Sequence, residues 1–243
     1  MRIFNFAKRN FNELIRDPLS LVFEIILPIF LLIIFQQFNI PSESFKLNNF
    51  TPGIIIFGFS FITLFTATLI AKDRESSLLI RLGVSPMKPY EFILGYIFSI
   101  LPIVIIQSIL FFIVAILLGL EFTINIILAI IISIFVSILF IALGILIGSL
   151  VSEKATGGLG SIVVQLVCFT SGMYFSKELV GKAFSVICDI LPFESSLEII
   201  KAFLNNNYNL IGLRNIIVFL IYTLITVIIS VVIFKSKMTS DNK

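Results

Sequence analysis

The sequence contains no histidine and no tryptophan, and it contains only two cysteines. Histidine is the commonest general base and a common zinc ligand. Its absence argues against a hydrolytic enzyme and against a zinc site. Cys168 lies inside an apolar stretch and Cys188 lies in a connecting segment, which fits neither a disulfide framework nor a metal site. We expect both to act as small buried hydrophobic residues.

A nucleotide-binding loop is also missing from the sequence. No stretch matches Gly-x-x-x-x-Gly-Lys-Ser/Thr, and the pair Gly181-Lys182 lacks the upstream glycine. We therefore expect this chain to bind no cofactor, and any ATP-derived energy must come from another chain. A membrane enzyme would need Asp, Glu or His clustered at membrane depth, and the apolar stretches contain no such cluster.

Charged residues are scarce, at 13% of the chain, whereas hydrophobic residues make up 58% and the mean hydropathy is +1.14. Soluble domains contain about 45–50% apolar residues. A membrane-spanning helix needs about 20 apolar residues, and six stretches reach that scale. The sequence predicts an all-α integral membrane protein with one transmembrane domain over residues 1–243. The six spans are predicted at 19–38, 51–71, 92–120, 126–151, 159–175 and 213–234.

The segments outside the spans predict the topology. Residues 1–18 place apolar side chains at helical spacing opposite basic ones, which predicts an interfacial helix, and Pro18 suits the first turn of the next helix. One side of the membrane receives 12 Lys and Arg residues and the other receives five. Basic residues prefer the cytoplasmic side, so both termini are predicted to be cytoplasmic.

Residues 176–212 predict an outer re-entrant segment. They contain two semi-apolar pieces, 179–191 and 197–204, which are too short to span and are separated at Pro192. A seventh span here would place the basic residues of the C-terminal tail outside, against the positive-inside preference.

The most charged internal segment is AKDRESSLLIRLGVSPMKPYEFILG, residues 71–95. Charges alternate at Asp73, Arg74 and Glu75, and apolar residues follow, which predicts a short amphipathic helix on the cytoplasmic face. The segment is either a solvated loop that satisfies the positive-inside rule or a docking element for a soluble partner. The charge pattern alone favours the solvated loop.

Three stretches resemble a known family. They are RDPLSLVFEIILPIFLLIIF at 16–35, TPGIIIFGFSF from Thr51 leading into the Asp-Arg-Glu segment, and TSGMYFS from Thr170 with LPF at 191–193. In order and spacing they resemble the permease subunits of type 2 ATP-binding-cassette exporters, a six-span family that handles drugs, lipids, peptides and polysaccharides. Tyr96 departs from the family pattern, because a basic residue is common after the glycine that opens the third span.

The resemblance implies the partners and the site. In that family the N-terminal surface helix and the segment before the third span contact a separate ATPase subunit, which holds ATP and magnesium. It also implies a second permease chain, identical or different. The absence of histidine together with abundant isoleucine, asparagine and lysine is typical of an AT-rich bacterial genome, so we expect a bacterial plasma membrane, and we expect no nucleic-acid partner. The implied ATPase-coupling residues are Asp73, Arg74, Glu75, Arg81 and Pro86, and the implied outer hairpin contains Gly172 and Pro192.

Glu24 is the one acidic residue inside a predicted span. A charge at mid-bilayer costs roughly 2.5–3.5 kcal/mol on insertion scales, which invites a functional role. Because Glu24 lies one to two turns from the cytoplasmic end, a carboxylate that reaches the interface or pairs with Arg16 is the favoured interpretation.

Other polar and small residues in the spans leave their roles open. Gly144 and Gly148 form a Gly-x-x-x-Gly motif, for which internal packing is favoured over a dimer seam. Five polar residues either face a substrate path or bond between helices: Gln107, Ser133, Ser137, Gln165 and Thr170.

Two classes of transport function remain. The leading hypothesis is the membrane half of an ATP-driven exporter that uses a separate ATPase subunit. The alternative is an ion-coupled carrier or channel without an ATPase, which usually needs several intramembrane charges.

Overall fold

The computed structural model describes residues 2–38, 40–76, 87–174 and 181–240, and this part of the chain is helical without a strand. The all-α membrane fold predicted from the sequence is confirmed. The helices are α1 (Arg2–Ile15), α2 (Pro18–Gln37), α3 (Leu47–Glu75), α4 (Pro89–Leu117), α5 (Ile124–Leu150), α6 (Glu153–Thr170), α7 (Lys182–Ile190), α8 (Pro192–Leu204) and α9 (Leu213–Ser240).

Among the described residues, five helices are long and apolar enough to cross a membrane: α2, α3, α4, α5 and α9. The predicted fifth span, 159–175, corresponds to α6, which is shorter and less apolar than these five. A crossing by α6, and with it the count of six spans, remains a prediction.

The boundary between α5 and α6 differs from the sequence prediction. The sequence predicts a polar turn over 152–158, but α6 begins at Glu153 and includes Gly157 and Gly158. Ser152 has extended backbone angles and ends the turn, and the acidic Glu153 suits the positive end of the helix dipole. The turn is therefore limited to Val151 and Ser152.

Helix α3 lies at the centre of the bundle and is buried along most of its length. It packs most extensively against α5 and α6. At Gly144 a Cβ would lie 2.5 Å from the Thr66 Cβ, and at Gly148 it would lie 2.5 Å from the Ala67 carbonyl oxygen. The favoured interpretation of the Gly-x-x-x-Gly motif, internal packing, is confirmed.

Helix α1 lies across the start of α4. The Phe6 ring packs edge-on against Phe92 and Tyr96, with centroid distances of 5.5 and 5.1 Å. A Cβ at Gly95 would lie 2.4 Å from the Phe6 ring, so the glycine at the start of the third predicted span provides the space for α1.

Helix α2 contains a π-helical turn over Val22–Ile26. Pro28 has no backbone N–H, so the Glu24 carbonyl oxygen lacks the donor four residues ahead that an α-helix supplies. The Gln107 side-chain amide of α4 donates a hydrogen bond to that oxygen at 3.0 Å. The absence of a backbone donor at Pro28 in α2 therefore explains why the buried Gln107 amide of α4 bonds to this oxygen.

The predicted outer segment contains two short helices, α7 and α8, separated at Leu191, and Pro192 begins the second helix. Helix α8 is largely buried and contacts α3, α5 and α9. Arg214 at the start of α9 forms an ion pair with Asp189 of α7 at 2.6 Å. The depth of this segment in the bilayer remains a prediction.

Replacing Gly148 with alanine should destabilise the bundle by about 1–3 kcal/mol, because the new methyl group would overlap backbone that cannot rotate away. The matched control is Gly157→Ala in α6, where a Cβ meets nothing within 4 Å and alanine is the better helix former. Thermal unfolding in detergent measures both. Equal melting temperatures for the two variants would contradict the close approach of α5 to α3.

Candidate functional site

The charged residues at the end of α3 connect several helices. Asp73 is 1% exposed. Its carboxylate accepts two hydrogen bonds from the Arg9 guanidinium of α1, at 2.8 and 2.9 Å, and one from the Tyr96 hydroxyl of α4 at 2.9 Å. A paired fork of this kind is among the strongest charge-assisted contacts in proteins. Asp73 therefore joins α1 and α4 to the end of α3.

Arg9 also binds Glu13 one turn further along α1, at 2.9 Å, and Lys72 binds the other oxygen of Glu13 at 2.6 Å. Partial burial acts to lower the pKa of Arg9, but the hydrogen bonds and negative charge of Asp73 outweigh burial and raise that pKa. The Arg9 guanidinium therefore stays charged, and α1 remains tied to α3 by alternating charges.

Arg74 and Glu75 contact a different part of the bundle. The Arg74 guanidinium donates to the Gly148 carbonyl oxygen at 2.9 Å and to the Val151 carbonyl oxygen at 3.3 Å, at the end of α5. The Glu75 carboxylate accepts a hydrogen bond from the Glu153 backbone amide at 2.9 Å, at the start of α6. The two residues hold both sides of the turn between α5 and α6.

Consecutive residues of a helix point about 100° apart, which follows from 3.6 residues per turn. Asp73, Arg74 and Glu75 therefore reach three different neighbours. The resemblance implies a coupling surface at these residues, but the Asp73 carboxylate is buried among partners of its own chain. Arg74 is half-buried and Glu75 is exposed.

The remaining predicted coupling residues, Arg81 and Pro86, lie outside the described residues. The outer-hairpin residues are both described. Gly172 follows α6 with a backbone φ of +79°, a conformation that favours glycine, and Pro192 is the first residue of the buried helix α8.

The Glu24 side chain is buried within the chain and only 2% exposed. Its Oε2 has no hydrogen-bond partner among the described residues, and the structure, which describes Arg16 as well, contains no ion pair between the two. The pairing of Glu24 with Arg16 is therefore wrong, whereas its position relative to the membrane interface remains a prediction. The π turn places its side chain towards the bundle interior.

The five polar residues of the spans have three kinds of environment. Three hydroxyl groups donate to carbonyl oxygens of the preceding turn of their own helix, and Gln107 bonds between helices. The three hydroxyls belong to Ser133, Ser137 and Thr170. Gln165 is exposed on α6, together with Lys154, Gly158 and Ser161 at helical spacing. Helix α6 therefore presents a partly polar face outside the packed core.

The sequence alone does not predict that Arg9, Glu13 and Tyr96 contact the charged residues at the end of α3. A signal existed for the first two, because Arg9 and Glu13 are four residues apart and can pair along one helix. Tyr96 was visible as a departure from the family pattern. The described residues contain no group of three or more Cys, Asp or Glu placed to hold a metal ion.

Comparison with known families agrees with this architecture. A sequence model of the family described as ABC-2 type transporter matches residues 1–204. The match covers most of the chain, which therefore belongs to the ABC-2 type transporter family. It is a multi-pass membrane protein and a permease subunit, a transport component of the ABC-2 type. A comparison with curated proteins finds no match.

Removing the Tyr96 hydroxyl should destabilise the folded chain by about 1.5–3 kcal/mol, because the buried Asp73 carboxylate loses one of its hydrogen bonds. The matched control is Tyr90→Phe in the same helix, where the side chain is 53% exposed and the change should cost less than about 0.5 kcal/mol. Thermal unfolding of both variants in detergent tests this. If Tyr96→Phe and Tyr90→Phe have the same melting temperature, the Tyr96 hydroxyl does not stabilise the buried Asp73 carboxylate.

Proposed function

We propose that this chain is the membrane-spanning subunit of an exporter that is driven by a separate ATPase subunit. In this proposal a second permease chain completes the pathway, and the complex lies in a bacterial plasma membrane with both termini in the cytoplasm. The cargo is a drug, a peptide, a lipid or a glycan. ATP and magnesium bind the partner ATPase.

The observation that carries the proposal is the gathering of charge at one end of an apolar bundle. The charged end is our name for one cluster of residues. It consists of Arg9, Glu13, Lys72 and the 73–75 motif, with Glu153 beside them. Buried Asp73 fixes its geometry, whereas Lys72 and Glu153 remain exposed. A rigid platform with exposed charges suits a soluble partner that must push on the permease.

The exposed face of α6 supports a pathway between two permease chains. Its polar side chains, Ser161 and Gln165, and the small Gly158 lie among exposed apolar residues such as Ile162 and Leu166, while the buried face of α6 packs against α3. Polar groups in a membrane protein normally face other protein or a water-filled cavity rather than lipid. A second chain with a substrate path between the two would cover this face.

An ion-coupled carrier is the second candidate, and buried Glu24 is the observation that favours it. A carrier that couples flux to protons or ions usually uses several intramembrane charges. Among the five spanning candidates, Glu24 lies about two turns from the start of α2, while the charges of α3 cluster at its end. The exporter is therefore the better supported of the two.

Co-purification distinguishes these candidates. The permease is expressed with a candidate ATPase subunit from the same genome and purified through a tag on the permease. We expect the ATPase to be retained and ATP hydrolysis to require both chains. Proton-driven flux by the permease alone in vesicles, with no ATPase retained, would contradict the proposal and support the carrier.

The orientation has its own test, in a chain with Cys168 and Cys188 changed to alanine. A membrane-impermeant maleimide applied to whole cells should label Lys182→Cys, which is exposed at the start of α7, and should leave Lys154→Cys unlabelled. Lys154→Cys, exposed at the start of α6, should react only after permeabilisation. The reverse pattern, or external labelling of both sites, would overturn the cytoplasmic placement of the charged end.

A further inference from the structure

The contacts of Arg74 and Glu75 form what we call the turn clasp. It consists of the two side chains, the Gly148 and Val151 carbonyl oxygens, and the Glu153 amide. The last four carbonyls of any helix and the first four amides of the next lack partners within the helix. The clasp supplies partners to both sets, on either side of one short turn.

The order of the two charges matches the order of the two helix ends. A cation is favoured at the negative C-terminal end of a helix, and an anion at the positive N-terminal end. Arg74 meets the end of α5 and Glu75 meets the start of α6. Reversing the two residues would keep the net charge but place each charge against the wrong helix end.

Helices α3 and α6 stay in contact well beyond the clasp. The Thr68 and Thr156 hydroxyl groups lie 3.2 Å apart, and a Cβ at Gly160 would lie 2.2 Å from the Leu64 side chain. The contact extends from Leu64 to Glu75, about 16 Å along α3 at 1.5 Å per residue. A displacement of the end of α3 therefore acts on α6 directly.

We propose that Arg74 and Glu75 are positioning residues that carry movement of the charged end to α6, rather than residues that bind the ATPase. This inference rests on the proposed function, because it needs an ATPase that moves the segment following α3. Their charges are directed at backbone groups of this chain. The clasp makes the turn between α5 and α6 follow the end of α3, and the exposed polar face of α6 follows with it.

The experiment follows the movement of α6 without needing a substrate. A bimane label is attached at Ser161→Cys, an exposed position of α6, in a chain with Cys168 and Cys188 changed to alanine. The labelled permease is purified with its ATPase, and the bimane emission maximum is compared between ADP and ATP with vanadate. We expect a nucleotide-dependent shift in the chain that keeps Arg74 and Glu75.

The test variant is Arg74→Ala with Glu75→Ala. We expect the ATPase to be retained within about twofold of the parent amount and ATP hydrolysis to continue, while the emission shift falls at least twofold. Glu75→Gln, which keeps an acceptor for the Glu153 amide, should recover more than half of the shift. Lys154→Ala is the matched control, because it removes an exposed charge beside the same turn and should leave the shift unchanged.

Each other outcome overturns one specific statement. If the double variant loses the ATPase while its melting temperature is kept, the two residues bind the partner and the inference fails. If the parent retains the ATPase but shows no shift, or the double variant keeps the full shift, the clasp carries no movement to α6. Should the double variant unfold, Glu75→Ala alone gives the same comparison at an exposed position. Failure of the parent to retain any ATPase would instead reject the proposed function.

Discussion

The arrangement of the helices depends on which groups bind the charged residues at the end of α3. Helix α3 is buried along most of its length, and it ends in three charged residues that cannot all reach solvent. A buried charge is tolerated only when it is paired and hydrogen-bonded. Asp73 meets this condition through Arg9 and Tyr96, which fixes α1 and α4 relative to α3. The charge requirement at one point therefore determines the arrangement of three helices.

Packing between the spans follows a different rule from packing in a soluble core. Lipid is as apolar as a leucine side chain, so helix association depends on close contact and on bonds between helices. Gly144 and Gly148 let α5 approach the α3 backbone, and the Thr63 hydroxyl donates to the Phe140 carbonyl oxygen at 2.9 Å. Close approach also brings the end of α5 within reach of Arg74. The glycines are therefore a precondition for the clasp.

The fold class could be predicted from the sequence, because hydropathy over about 20 residues is a local property. Contacts between distant residues could not. Arg9 and Asp73 are 64 residues apart, and no pattern in the sequence pairs them. The family resemblance implies that the residues at 73–75 belong to one coupling surface. Adjacent residues of a helix point in different directions, so the three residues of the motif contact three different parts of the bundle.

The start of α6 was missed for a related reason. Glycines at 157 and 158 and polar residues before them are typical of a turn, and hydropathy alone supports that interpretation. The Glu75 carboxylate at the Glu153 amide stabilises the helix start, and packing on α3 offsets the weak helix propensity of the glycines. Tertiary contacts therefore decided a boundary that local sequence could not.

At Glu24 the backbone carbonyl group, and not the side chain, makes the contact between helices. Pro28 removes a backbone donor, the helix widens into a π turn, and the Glu24 carbonyl oxygen accepts its hydrogen bond from Gln107 instead. The contact between α2 and α4 at this point therefore depends on the backbone of residue 24, not on its carboxylate. A substitution of the Glu24 side chain leaves that hydrogen bond available. A transport defect in such a variant would consequently report on the buried carboxylate itself, which separates a role in transport from a role in packing.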